Sequence, residues 1–391
     1  MRIDTRLAER LKKVNPSSTL AITSKAKKLK SEGIDVVTLA AGEPDFDTPD
    51  FIKDAAIEAI KSGFTKYTPT TGIAELKEAI AEKFKKDNSL EYAPSQIVVS
   101  SGAKHSIFNA VFVLVNKGEE VLIPSPYWVS YPEMARLTEG TPRFIPTLAE
   151  NKFKITVKDL EKYITAKTKI LILNSPSNPT GCVYSEDELR KIAKVCVARK
   201  VFVISDEIYE KIIFDNLKHL SIASLGKDIF DLTITVNGLS KSHSMTGWRI
   251  GYLAGPQDIV DAISNLQDHS TSNPNSIAQK AAVVALKGGD DFSNNMCWEF
   301  QKRRDYVVER LSKIKKINYI FPEGAFYIFC DISKTKLDSS NFANRLLDEA
   351  HVAVIPGAAF GRDDYMRISF TAGLEQLKKG LDRIEEWVNK L

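Results

Sequence analysis

Between residues 96 and 255 the chain repeats one pattern: a short apolar run, then a longer stretch with apolar residues every three or four positions. The apolar runs are QIVVSS (96–101), EVLIPS (120–125), PRFIPT (142–147), KILILN (169–174), VFVISD (201–206), LTITVN (232–237) and RIGYLAG (249–255). Runs apolar on both faces predict strands buried between two layers. The segments between several of them predict amphipathic helices. In SEDELRKIAKVCVARK (185–200), Ser185 stands three residues before Glu188, the spacing of a capping box. Strands alternating with helices predict an α/β fold, a mainly parallel seven-stranded sheet between helices. The last run follows its predecessor too closely for a helical crossover, so it is expected to be the one antiparallel member.

The texture changes after about residue 288. FSNNMCWEFQKRRDYVVERLSKIKK predicts one long amphipathic helix. AFYIFCDI, SSNFANRLLDEA, VAVIPG, YMRISF and EQLKKGLDRIEEWVNKL then alternate short strands and helices, a small α+β module. The first 45 residues are too few for a domain and are expected to pack on it. The expected division is therefore 46–287 for the large domain, with 1–45 and 288–391 forming the small one.

Composition narrows the function. The chain has 391 residues, of which 43% are hydrophobic and 27% charged, and 54 basic residues nearly cancel 50 acidic ones to leave +4. No basic block is long enough to predict a nucleic-acid or membrane partner. The most apolar run, IFNAVFVLV (107–115), is far short of a membrane span, and MRIDTRLAERLKKV lacks the apolar core of a secretory signal. Cys182, Cys196, Cys297 and Cys330 are scattered, as reduced thiols of a cytoplasmic protein would be. The five histidines show no ligand spacing, so no metal is expected.

Ligands of open α/β sheets gather at the carboxyl ends of the strands. There the chain places Gly102-Ala103-Lys104 after the first run, Trp128 after the second, Asn178 after the fourth, Asp206 to Tyr209 after the fifth, and Ser240-Lys241 after the sixth. Small residues before a helix start make an anion site, and Arg249 adds a planar fork for phosphate. A carboxylate at the end of an apolar strand needs a cation. A lysine in such a pocket has a reason to be there if it bonds a carbonyl carbon. Phosphate cradle, aromatic face, carboxylate and lysine together describe a pyridoxal phosphate pocket. Arg367 alternates with apolar neighbours in YMRISF, so it too must face a partner.

GLSKSHSMTGWRIG (238–251) resembles the cofactor-attachment motif of class I pyridoxal-phosphate-dependent aminotransferases. AGEPDF (41–46), YTPTTGIAELKEAI (67–80), NSPSNPTG (174–181) and SDEIYE (205–210) are similar to further motifs of that family, in family order. Within it the chain most resembles the bacterial aspartate aminotransferases. The resemblance implies the fold-type I architecture, pyridoxal 5'-phosphate as cofactor, and a homodimer acting on amino acids and 2-oxo acids. It implies that Lys241 bonds the cofactor's aldehyde and later shuttles a proton. Asp206 would pair with the ring nitrogen, Tyr209 and Asn178 with the phenolic oxygen, and Trp128 would stack on the ring. The 102–104 turn, Ser240, Arg249 and, from across the dimer interface, Tyr67 would hold the phosphate. Arg367 would bind the substrate α-carboxylate, helped by Gly42, Trp128 and Asn178.

The implied reaction moves an amino group from L-aspartate to 2-oxoglutarate. No arginine occurs between Arg249 and Arg303 to read the distal carboxylate, so Lys104, with Ser18 and Thr19, is expected to do so. Relatives that accept prephenate carry a basic residue before the Pro-Ser of the N-terminal segment; Asn15 stands there instead. Aromatic, alanine or prephenate aminotransferases, or a lyase on the same scaffold, are the alternatives. A nicotinamide dehydrogenase is set aside because no G-x-G-x-x-G follows any run. A transcription regulator of this fold would need a DNA-binding module before the pattern begins.

Overall fold

The computed structural model describes residues 7–16 and 18–391, with residues 18–20 described by their backbone alone. A two-residue strand β1 (Val37–Thr38) precedes seven strands that correspond to the seven apolar runs. These are β2 (Ile97–Ser100), β3 (Glu120–Ser125), β4 (Thr141–Pro146), β5 (Thr168–Asn174), β6 (Phe202–Asp206), β7 (Thr233–Gly238) and β8 (Gly251–Ala254). They form one sheet in the order β2-β8-β7-β6-β5-β3-β4. β8 runs antiparallel to both its neighbours, and every other pairing is parallel. The short 238–251 connection thus reverses the chain as expected, and it leaves Lys241 on a tight loop at the sheet's edge.

Helix starts follow local chemistry. Ser185 accepts from the Glu188 amide and Glu188 answers at the Ser185 amide, closing the capping box that opens the Glu186–Arg199 helix. The Ala103–Leu114 helix begins without a side-chain cap, because Gly102 at its cap offers no side chain and leaves the first amides open. Gly102 takes φ +89°, and a Cβ there would collide with the Arg249 guanidinium. Gly251 is bare for a similar reason, since a Cβ would strike the Ala103 amide.

After residue 288 a helix spans Asp290–Leu311 rather than 292–316. It stops early because Ile314 and Ile317 turn inward and are buried. The remaining strands are β9 (Asn318–Ile320), β10 (Tyr327–Asp331), β11 (Val352–Ala353), β12 (Ile355–Pro356) and β13 (Tyr365–Ser369). Four of them form an antiparallel sheet, β12-β13-β10-β9. β1 pairs in parallel with β11, so the N-terminal segment is stitched to the C-terminal part. One apolar cluster contains Ile22, Val37 and Leu39 together with Phe329, Leu346 and Ile384, and it also takes in Phe153, Tyr209 and Phe214 from beside the large sheet. Burial of this continuous kind is the main force holding the two parts together. Among the described residues no helix is long and apolar enough to cross a membrane.

Candidate active site

A cavity of about 720 Å³ opens where the carboxyl ends of β5, β6 and β7 face β13 and the loop after β1. Gly42, Ala103, Lys104, Trp128, Asn178, Asp206, Tyr209, Ser240, Lys241, Arg249 and Arg367 all line it. Of the residues expected from the sequence, Gly102 sits just behind the wall, and Tyr67 lies elsewhere with 93% of its surface exposed. The side chains of Ser18 and Thr19 lie outside the described residues.

Each polar group in the cavity is positioned by its element. Asn174, at the end of β5, donates to the Asp206 carbonyl at 3.0 Å and accepts from the Asn178 amide at 2.8 Å. It therefore locks the turns after β5 and β6 together. The Asp206 carboxylate accepts from Tyr131 at 2.6 Å and from the Ile208 amide at 3.3 Å. No cation among the described residues lies within ion-pair distance of it. Burial raises Asp206 to about 6, against the opposing bond from Tyr131.

Lys241 Nζ donates to the Gly42 carbonyl at 2.6 Å and meets no carboxylate at ion-pair distance among the described residues. Withdrawal from water pulls it down to about 8, although the Glu43 charge works the other way. Arg249 adopts φ +57°, a left-handed conformation that costs a non-glycine residue about 1–3 kcal/mol. Among the described residues its guanidinium hydrogen-bonds only to the carbonyls of Thr246 at 2.8 Å and Ser101 at 3.3 Å. An uncompensated cation beside the open Ala103–Leu114 helix start is suited to a phosphate.

Arg367 sits at the centre of β13, 4% exposed. It donates to Asn178 Oδ1 at 2.9 Å and to the Ala40 carbonyl at 3.0 Å, while Nε finds no partner among the described residues. Burial pulls even this guanidinium down from its ordinary range. Lys104 lies over the Trp128 ring at 5.0 Å, and its burial, with the Arg249 charge, lowers it as well.

Asp206, Lys241, Arg249, Arg367 and Lys104 thus share one cavity, and none forms an ion pair with a described residue. A ligand fits if it brings a proton donor to Asp206, an electrophilic carbon to Lys241 and a dianion to Arg249, with carboxylates for Arg367 and Lys104. Pyridoxal phosphate with a dicarboxylic amino acid meets these demands, so the residues present fit that cofactor.

Sequence reasoning missed Tyr131, Asn174, Glu43, Tyr327 and Phe360, which also line the cavity. Tyr131 follows Trp128 by three residues, and their rings meet edge to face at 5.3 Å. Tyr327 carried no local signal, because it reaches the site through the pairing of β10 with β13.

The fold and the cavity define an α/β enzyme with a lysine amine set among anion-binding groups. The chain belongs to the aminotransferase class I and II family, whose pattern matches residues 34–384. It is 49% identical over 387 residues to the aspartate aminotransferase of Bacillus sp. (strain YM-2), covering 98% of this chain and 99% of that one. It is 48% identical over 390 residues to a probable aspartate/prephenate aminotransferase of Aquifex aeolicus (strain VF5), with 98% and 99% covered. Among solved structures, the aspartate aminotransferase from Rhizobium meliloti matches with TM-score 0.96 at 41% identity, covering 99% of both chains. That of Thermus thermophilus with maleate matches at 0.94 and 39%, covering 97% of this chain and 99% of that one.

Proposed function

We propose that this protein transfers the amino group of L-aspartate to 2-oxoglutarate, giving oxaloacetate and L-glutamate in two half-reactions, with pyridoxal 5'-phosphate as cofactor. The observation that carries the reading is the set of uncompensated charges around Lys241. The names of the relatives support the choice of aspartate.

Bound there, the cofactor supplies an electrophilic carbon and an electron-withdrawing ring that takes up charge from the substrate's α-carbon. Lys241, lowered to about 8, offers enough neutral amine near neutral pH to act first as nucleophile and then as base. Its Nζ moves the proton off the α-carbon and returns it during the second half-reaction, a contribution of about 10²–10⁴-fold. Asp206 would hold a proton shared with the ring nitrogen. Tyr209 and Asn178 would donate to the ring oxygen, Trp128 would cover the ring, and Gly102, Ala103, Ser240 and Arg249 would receive the phosphate. Arg367 orients the α-carboxylate, with Gly42 beside it, and Lys104 takes the distal one; each charged bond is worth about 1.5–3 kcal/mol.

The functional unit in this reading is a homodimer in the cytoplasm. Tyr67, 93% exposed on a single chain, would complete the phosphate site of a second copy. The four free thiols suit a reducing compartment. Residues 46–287 form the cofactor-holding body, and 1–45 with 288–391 the part that carries Arg367 and closes on substrate. Asn15 is uncharged where relatives that accept prephenate carry a basic residue, so prephenate is expected to be a poor acceptor.

The test is an amino-transfer assay with purified protein. Oxaloacetate should form from L-aspartate and 2-oxoglutarate, should depend on added pyridoxal phosphate after its removal, and should far outrun transfer to prephenate. Turnover of aromatic amino acids or alanine in preference to aspartate would move the substrate reading elsewhere.

A further inference from the structure

Tyr327 touches both Tyr209 and Arg367 and has so far been given no part in the cavity's chemistry. It opens β10 and is 1% exposed. Its hydroxyl lies 2.9 Å from the Tyr209 hydroxyl. Its ring faces the Arg367 guanidinium, 4.2 Å from carbon to centroid. The Tyr209 and Tyr327 rings meet edge to face at 5.8 Å, which fixes their mutual angle.

A phenol has one proton to give. If Tyr209 donates its own to a ligand oxygen, the proton in the 2.9 Å contact must come from Tyr327. A cation over a phenol ring draws electron density from it and makes its O–H a stronger donor. Hydrogen bonds in series polarise one another, so the Arg367 charge is felt at Tyr209 through Tyr327.

We propose that Tyr327 is a positioning residue that links carboxylate binding at Arg367 to the donor strength of Tyr209. A carboxylate arriving at Arg367 neutralises the charge against the Tyr327 ring. Tyr327 then donates less strongly, and so does Tyr209. The oxygen that Tyr209 faces gains proton affinity when substrate is in place, which is when a proton has to be held there. The groups facing this pair are Asp206 from the turn after β6, Arg367 from β13, Glu43 from the loop after β1 and Lys241 from the loop after β7. Arg367 acts against the burial that raises the Tyr327 phenol.

The inference rests on the pyridoxal phosphate reading, and its test separates the two. The protein loaded with pyridoxal phosphate is titrated with base by visible absorbance, with and without succinate as a non-reacting dicarboxylate. Y327F keeps the ring against Arg367 and removes only the hydroxyl. It should raise the midpoint by about 0.5–1 pH and at least halve the succinate-induced rise, as expected for one lost hydrogen bond. In a Y209F background the same change should move the midpoint by less than about 0.2 pH, because its route is gone. Y209F alone, which leaves Tyr327 in place, should also at least halve the succinate effect. In turnover, Y327F should lower kcat about three- to tenfold with KM for aspartate changed less than about twofold.

Equal midpoints in Y327F and wild type, or equal shifts in both backgrounds, would overturn the linkage alone. A rise in KM with kcat untouched would make Tyr327 mere packing for Arg367 and overturn it too. No visible band in the loaded wild type would overturn both readings.

Discussion

Two faces of one turn hold their carboxylates in opposite ways. Asp206 and Tyr209 look forward into the cavity, while Glu207 and Glu210 of the same turn look backward into the protein. On the backward face both carboxylates are satisfied, although His219 Nδ1 finds no partner among the described residues. Glu207 accepts from Ser205 at 2.8 Å, Ser221 at 2.6 Å, Asn88 at 3.3 Å and His219 at 2.9 Å. Glu210 pairs with Lys83 and accepts from Asn88 at 2.7 Å. Glu207, Glu210 and His219 could together hold a metal by their spacing, but Lys83 already supplies the positive charge. On the forward face Asp206 has one hydroxyl, one amide and no cation. Arg304 and Arg367 repeat the contrast. The first is saturated by Asp215 at 2.7 and 2.8 Å and by Asp305, and the second is left with an orphaned Nε. Buried charge that the chain neutralises itself belongs to the scaffold; buried charge that it leaves open belongs to a ligand.

The contrast is sharpest in Lys241. Lys241→Ala should lower amino transfer by at least about 10³-fold, since it removes nucleophile and base together. The cofactor-free variant should melt no lower than its parent, because no ion pair is broken. A steady-state assay and a melting curve check the two halves, and a variant both active and unstable would invert the comparison.

Behind the turn the balance reverses. Lys83→Met strands the Glu210 carboxylate in a buried site and should cost about 3–5 kcal/mol in urea unfolding. A cost below about 1 kcal/mol would mean that the network is not closed.

Asp206 gives a pH test with a definite sign. Its folded value, about 6, lies above the ordinary carboxylate value of 3.8. The folded state therefore holds a proton that the unfolded chain has already lost between those limits, and stability falls as pH rises through that window. In cofactor-free protein, Asp206→Asn should stabilise by about 1–3 kcal/mol at pH 7, with the gain shrinking towards pH 4. A gain that is independent of pH would point to packing instead.

An effect of similar size is a selective one. Lys104→Ala should reduce kcat/KM for aspartate about 10- to 100-fold and for alanine less than about threefold. Equal losses would free Lys104 from the distal carboxylate.

Much of this was legible in the chain. The seven runs predicted the sheet and the short 238–251 link predicted its antiparallel strand, because burial on both faces and connection length are local properties. The end of the Asp290–Leu311 helix was not, since the turn is set by where Ile314 and Ile317 find their core. In the site, contiguous stretches such as Gly238–Arg249 announced themselves. Asp206 was told from Glu207 only by the resemblance that SDEIYE carries, because without it only the fold decides which neighbour faces the cavity. Tyr327 and Arg367 lie forty residues apart in sequence and meet only through strand pairing. Tyr67 shows the limit of a single chain, for its proposed partner is another copy.

The most direct test of the central claim is chemical. The protein loaded with pyridoxal phosphate is reduced with borohydride, digested and mapped by mass. A pyridoxyl group on the peptide carrying Lys241, and on no other, is the predicted result. Label on Lys104 or another lysine, or none, would contradict the account, because the open charges around Lys241 would then be waiting for something else.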